Sequence, residues 1–162
     1  MPSFQPLISG PSEAVDSRRR RASDSALYYW DWLRGDRPFP CSDEIDPLLV
    51  PGLWGHVFFI DFGDDLSESI FAYASPAMKQ ICGGDPTGQP LAECFPEAMR
   101  DDMLLFFEVA STMKQPVTQS NEYRADDENM ILYRIAAMPI SDDQVDVNGL
   151  FGVFNYKVVG HA

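Results

Sequence analysis

One long amphipathic run, bracketed by Pro96 and Pro116, constrains the fold of this chain more than any other feature. Met99, Met103, Phe106, Phe107, Ala110 and Met113 recur between those prolines at intervals that place them on one face of a helix. Pro96 suits the first turn, Lys114 in the last turn complements the helix dipole, and Pro116 cannot continue it. The other hydrophobic runs are shorter and read as strands or as shorter helices. Two strand-like runs come before this helix, Val57 to Phe62 and Ile70 to Tyr73, separated by the acidic loop Gly63-Asp64-Asp65. Three follow it: Val117 to Arg124, Met130 to Met138 and Leu150 to Val158, joined by Asp126-Asp127-Glu128-Asn129 and Ser141-Asp142-Asp143. Between the two groups, Ser75 to Cys82 predicts a short helix stopped by Gly83-Gly84, and Leu91 to Phe95 a further turn. Short strands joined by polar turns on both sides of one helix imply an α+β domain with an antiparallel sheet.

The first third of the chain is organised differently. Residues 1–22 lack hydrophobic periodicity and end in Arg18 to Arg21, so they read as a disordered tail with a basic end. Ser23 or Asp24 is placed to cap a helix whose apolar residues fall at Ala26, Leu27, Trp30 and Leu33, with Gly35 as its terminator. Arg37-Pro38-Phe39-Pro40 is an extended connector, and Asp46-Pro47 and Pro51-Gly52 mark turns with a helical turn between them. The expected organisation is therefore tail (1–22), N-terminal helix and Pro-rich connector (23–54), and core (55–162).

Charge narrows the function. Lys and Arg number 12 against 25 Asp and Glu in 162 residues, a net −13. Without residues 1–22 the balance is 8 against 23, about −15. Nucleic acid and anionic membrane both require a basic surface, so neither is expected as a partner. No apolar stretch approaches the roughly 18–20 residues that span a bilayer. No signal peptide is recognisable at the start, and a cytoplasmic location is expected. Cys41, Cys82 and Cys94 form no CxxC pair, which argues against a disulfide framework.

Two strands, short helices, a long connecting helix and a three-stranded meander is also the element order of a PAS domain. The run Tyr29-Trp30-Asp31-Trp32-Leu33-Arg34-Gly35-Asp36-Arg37-Pro38-Phe39-Pro40, with Ile45-Asp46-Pro47 after it, resembles the opening signature of a bacterial family of short, single-domain PAS-like proteins. Gly84-Asp85-Pro86-Thr87-Gly88, followed by Leu91 and Phe95, resembles that family's segment around its middle helices. The likeness extends over residues 25 to 158, with a departure at Tyr73-Ala74-Ser75-Pro76, where relatives commonly carry an Arg and a Gly. It implies a PAS-like five-stranded antiparallel sheet with short helices and one longer connecting helix, preceded by an N-terminal aromatic helix. It also implies a regulatory role in signal transduction, in which a small molecule or a protein partner is sensed and output passes through association.

Sharper chemistry finds little support in the residues. Haem sensors of the PAS class often carry an axial His on the long helix, and here the histidines are His56 and His161, both elsewhere. Met99 and Met103 suit a core stripe. Neither Cys82 nor Cys94 sits in the Asn-Cys-Arg-Phe type of motif that flavin photosensors use, although Cys94 near a helix N-terminus is a candidate for a lowered pKa. Neither haem nor flavin is therefore supported, and no cofactor is named. The acidic clusters lie in turns and lack the alternating pattern of a calcium loop. No local arrangement suggests a catalytic triad or a paired-carboxylate cleft, and the chain is expected not to be an enzyme.

Two sites remain. A small apolar ligand between sheet and long helix would contact Met103, Phe106 and Phe107 on the helix and Phe58, Ile60, Tyr133 and Phe154 on the sheet. The alternative is an interaction module whose core is packed solid. The N-terminal helix, with Tyr28, Tyr29, Trp30, Trp32 and Leu33, carries more apolar surface than one contact requires, and is expected either to pair in a homodimer or dock an unidentified protein, or to cover the sheet within one chain.

Overall fold

The computed structural model describes residues 13–46, 53 and 55–160, with side chains in the first helix described from Ala22 onward. The remainder of the expected tail, the side chains of Arg18 to Arg21, the turns at Pro47 and Pro51-Gly52, and His161 lie outside the described residues.

Helix α1 spans Glu13–Arg34. It is followed by β1 (Val57–Asp61), β2 (Ile70–Ala74), α2 (Pro76–Cys82), α3 (Glu97–Met113), β3 (Val117–Arg124), β4 (Asn129–Ile140) and β5 (Gly149–Gly160), with short 3-10 turns at Ser42–Glu44, Leu66–Glu68 and Leu91–Glu93. The strands form one antiparallel sheet in the order β2-β1-β5-β4-β3. The N-terminal hairpin thus joins the C-terminal meander through β1 and β5, where Phe58 lies opposite Gly152 and Ile60 opposite Leu150.

Alternation along the strands sends residues to two separate buried clusters. Phe58, Ile60, Tyr133, Ile135, Leu150 and Phe154 face α2 and α3 and join Met78, Met99, Met103 and Phe107. Val57, Ala136, Met138, Ile140, Phe151 and Val153 face the other way and join Ala22, Ala26, Tyr29, Trp30, Phe39 and Ile45. The sheet is therefore covered on both faces, which explains why β4 and β5 read as nearly continuous apolar runs.

Local chemistry accounts for the helix ends. The Ser75 hydroxyl accepts from the Met78 amide at 3.3 Å, Pro76 opens α2, and Gly83 closes it at φ 76°. Three expectations are corrected. Ser23 and Asp24 are not caps: α1 begins at Glu13, and Ala22 and Ser23 are buried on its inner side. Met113 is half exposed rather than part of the buried face of α3. Lys114 lies past the last turn, as a C-cap at φ 55° in the left-handed region where a Cβ is strained.

Candidate functional site

All seven residues named from the sequence for a ligand site under the long helix lie in one buried cluster: Phe58, Ile60, Met103, Phe106, Phe107, Tyr133 and Phe154. Their rings touch one another. The Phe58 and Phe107 centroids are 5.9 Å apart, Phe106 and Phe107 5.5 Å, and Tyr133 and Phe154 5.8 Å. Such offset and edge-on contacts add directional attraction to the burial of area. Phe58 lies directly over Gly152, where an added Cβ would come within 2.3 Å of both its ring and the Ala136 carbonyl oxygen. At the rim, the Tyr133 hydroxyl accepts a hydrogen bond from the Gln119 side chain at 3.1 Å.

The aromatic helix divides between its two faces. Tyr29 and Trp30 are buried against the sheet, and the Trp30 indole donates to the Pro139 carbonyl at 2.8 Å. That acceptor is available because β3 starts opposite Ala137, leaving β4 without a neighbour on that side beyond it. A proline there sacrifices no ladder bond. Leu33 packs half-buried beside them. Tyr28 and Trp32, in contrast, remain 70% and 68% exposed. Of the five residues proposed for a partner surface, the structure therefore commits Tyr29 and Trp30 to the core and leaves Tyr28 and Trp32 accessible.

The N-terminal signature has a structural explanation. Gly35 adopts φ 57° just past the end of α1. The Arg37 guanidinium then donates to the carbonyls of Leu33 at 2.9 Å and Arg34 at 3.2 Å, which the helix leaves unsatisfied. Arg37 also pairs with Glu44 at 2.8 Å, while Arg34 pairs with Asp31 at 2.6 Å and lies over the Trp30 ring. The Asp46 amide donates to the Tyr29 hydroxyl at 3.0 Å. Together these contacts fold the connector back beneath α1 and seat both on the sheet. The second motif is also structural. Asp85 accepts from the Thr87 amide and hydroxyl, and the chain after it forms isolated bridges from Thr87 to Phe71 and Pro90 to Ile70 along the outer edge of β2. An edge covered in this way cannot recruit another strand.

A polar row beneath the middle of α1, buried at Arg134 and Asn155 and exposed at Ser120, was not foreseen. Ser120, Arg134 and Asn155 lie side by side on β3, β4 and β5. The buried Arg134 donates to Ser23 on α1 and to Ser120, each at 3.2 Å. A lone Arg inside the apolar run Met130 to Met138 was the signal for it.

The thiols are not activated. Burial pushes Cys82 up to about 12 and Cys94 up to about 11, and the Cys94 thiol is satisfied by carbonyl oxygens, among them that of Pro90 at 3.2 Å. The expectation that a helix N-terminus could lower the Cys94 pKa is thus overturned, because desolvation outweighs the dipole. His56 is half-buried just before β1, and burial lowers its pKa. Among the described residues no group of three or more His, Cys, Asp or Glu side chains could hold a metal ion. No described helix is long and apolar enough to cross a membrane.

An antiparallel five-stranded sheet, with short helices and a connecting helix on one face and an N-terminal helix on the other, defines an α+β domain of the PAS type. The family model described as the PAS domain matches residues 18–155, most of the chain, and the protein belongs to that family. The family consists of sensory and regulatory domains. Among solved structures, the chain is similar to one titled "Flavin Analogue Sheds Light on Light-Oxygen-Voltage Domain Mechanism", at 15% sequence identity and a TM-score of 0.46, over 70% of this chain and 87% of that one. No curated protein matches it.

Proposed function

We propose that this protein is a non-catalytic regulatory PAS domain whose output is self-association through the outer face of α1. The observation that carries the reading is the unequal burial of one helix: Trp30 is 3% exposed and Trp32 68%. An inner face already satisfied by the sheet leaves Tyr28 and Trp32, one turn apart, as amphipathic anchors of the sort enriched at interfaces. A second copy of the chain supplies the matching patch by two-fold symmetry. Both bodies are strongly acidic, so the contact centres on these rings and carries little charge. Sedimentation velocity tests this reading. The wild-type protein is expected to be a dimer at tens of micromolar, and a Tyr28→Ser, Trp32→Ser variant a folded monomer whose melting temperature, unlike that of the wild type, does not depend on protein concentration. A monomeric wild type, or a variant that stays dimeric, would overturn it.

A second reading, a small apolar ligand under α3, is supported by the methionines in that cluster. Met78, Met99 and Met103 are buried among the rings, and unbranched thioether side chains repack around a guest more readily than branched ones. Native mass spectrometry of freshly purified protein distinguishes the two. A bound mass supports ligand sensing, and a bare protein supports a pure interaction module.

A further inference from the structure

The geometry points to a binding site for a small organic cation, an ammonium group on a compact hydrocarbon body, on the α1 side of the sheet and away from α3. A depression of about 200 Å³ opens there, where β1 ends and β5 begins. Its floor is apolar, from Ile45, Phe59, Ile140 and the backbone at Gly149. It owes its opening to a break in the β1–β2 ladder. Phe59 pairs with Tyr73 and Ile60 with Phe71, so Ala72 is the extra residue of a bulge and lines the mouth.

The rim selects the charge of the guest. Asp142 accepts from Ser42 and from the Asn148 amide group, and the Asn148 carbonyl oxygen accepts from the Asp142 backbone. These polar groups are occupied with one another. Asp61 is different: it is exposed at the mouth, and among the described residues its carboxylate makes no hydrogen bond or ion pair. Among the described residues no Lys or Arg lines the depression to offer that carboxylate an internal partner. An ammonium group at the mouth neutralises Asp61 while its hydrocarbon body covers the floor, beside the Phe59 ring. Anionic guests are repelled by the same carboxylate and by the acidic body around it. The volume suits a guest the size of phenethylamine rather than a nucleotide or a haem. Because Ser42 and Ile45 belong to the connector that Arg37 and Glu44 tie to α1, a bound guest bridges the connector to the sheet and tightens the seat of that helix.

The test is a titration with phenethylammonium, followed by amide chemical shifts in NMR spectra and by thermal unfolding. Shift changes are expected at Asp61, Asn148 and Gly149, together with a rise in melting temperature. Neutral 2-phenylethanol should bind more weakly by about two- to fivefold, since it lacks the charge contact, and anionic 3-phenylpropionate more weakly still, since the carboxylate repels it. Asp61→Asn should weaken the amine by a similar factor and Asp61→Glu should largely restore it. Both variants should have the wild-type spectrum without ligand. Equal binding of all three probes, an unaffected Asp61→Asn protein, or shifts confined to the cluster under α3 would overturn the assignment.

Discussion

The two faces of the sheet are stabilised in different ways. Beneath α3 the interior is almost wholly apolar: Phe58, Phe71, Phe95, Phe106, Phe107, Tyr133 and Phe154 pack with three methionines, and position follows from shape. Beneath α1 a smaller apolar patch is supplemented by directional bonds, from the Trp30 indole to Pro139, from Asp46 to Tyr29, and from Arg134 to Ser23. The first face contributes most of the stability, because apolar burial scales with area. The second fixes the position of a helix that a few hydrogen bonds hold in register. A regulatory domain gains from the division, since a helix seated by discrete bonds has a defined place from which it can be displaced without dissolving the core.

Substitutions should separate the two faces. The largest effect is expected from Gly152→Val, whose side chain would meet both the Phe58 ring and the Ala136 carbonyl. Loss of more than about 4 kcal/mol, or failure to fold, is expected in urea denaturation. Phe107→Ala should cost about 3–5 kcal/mol by opening a cavity among the rings. Trp30→Phe, which keeps most of the burial but loses the indole bond, should cost only about 1–2 kcal/mol. If Trp30→Phe proves as costly as Phe107→Ala, the faces do not differ in the way described.

Lys114→Gly acts in the opposite direction. Relieving the left-handed C-cap of α3 should raise stability by about 1 kcal/mol. Gln144 at φ 67° is a useful contrast, because its side chain donates to the Ser141 carbonyl at 3.0 Å and accepts from the Phe39 amide at 3.3 Å. Replacing it with Gly removes those bonds along with the strain, and little net gain is expected.

The smallest response should come from the thiols of the α3 face. A free thiol ionises near about 8.5, whereas Cys82 and Cys94 are raised to about 12 and about 11. At pH 8 the thiolate fraction is roughly 200-fold lower at Cys94 and roughly 2,000-fold lower at Cys82 than in a peptide cysteine, so iodoacetamide should label Cys94 slowly and Cys82 more slowly still, with both rates climbing as pH rises toward 11. The sign for stability follows. The unfolded thiols release their protons first, so the contribution of the buried neutral forms is complete below their ordinary pKa and falls as pH rises above it. Cys41, half-buried in the connector, should react before either. Rapid labelling of Cys94 at neutral pH would show that its burial is incomplete.

Much of this organisation was legible in the residues. Hydrophobic runs of fixed period, the glycines at positions 35 and 83, and the prolines at 96 and 116 marked the elements closely, because each acts on its own few neighbours. The start of α1 was misplaced for the same reason. Ser23 has the chemistry of a cap, but its hydroxyl partner, Arg134, lies more than a hundred positions away in the sequence, and no local rule contains it. The cluster under α3 was largely foreseen, since the face of α3 and the alternation along β1, β4 and β5 nominate the same residues once a sheet is assumed. The depression at Asp61 was not, for it depends on a bulge at Ala72 and on a connector returning to the far face of the sheet.

By itself the sequence determined the order and kind of most elements, most of the covered face of the long helix, and an acidic body. Those properties follow from periodicity and composition, which are local or additive. Only the tertiary structure decided which sheet face each strand residue joins, that Trp30 is buried while Trp32 is exposed, and that Asp61 has no partner among the described residues above an apolar floor. Each of these depends on contacts between segments distant in the chain, and such contacts exist only once the sheet has closed between β1 and β5.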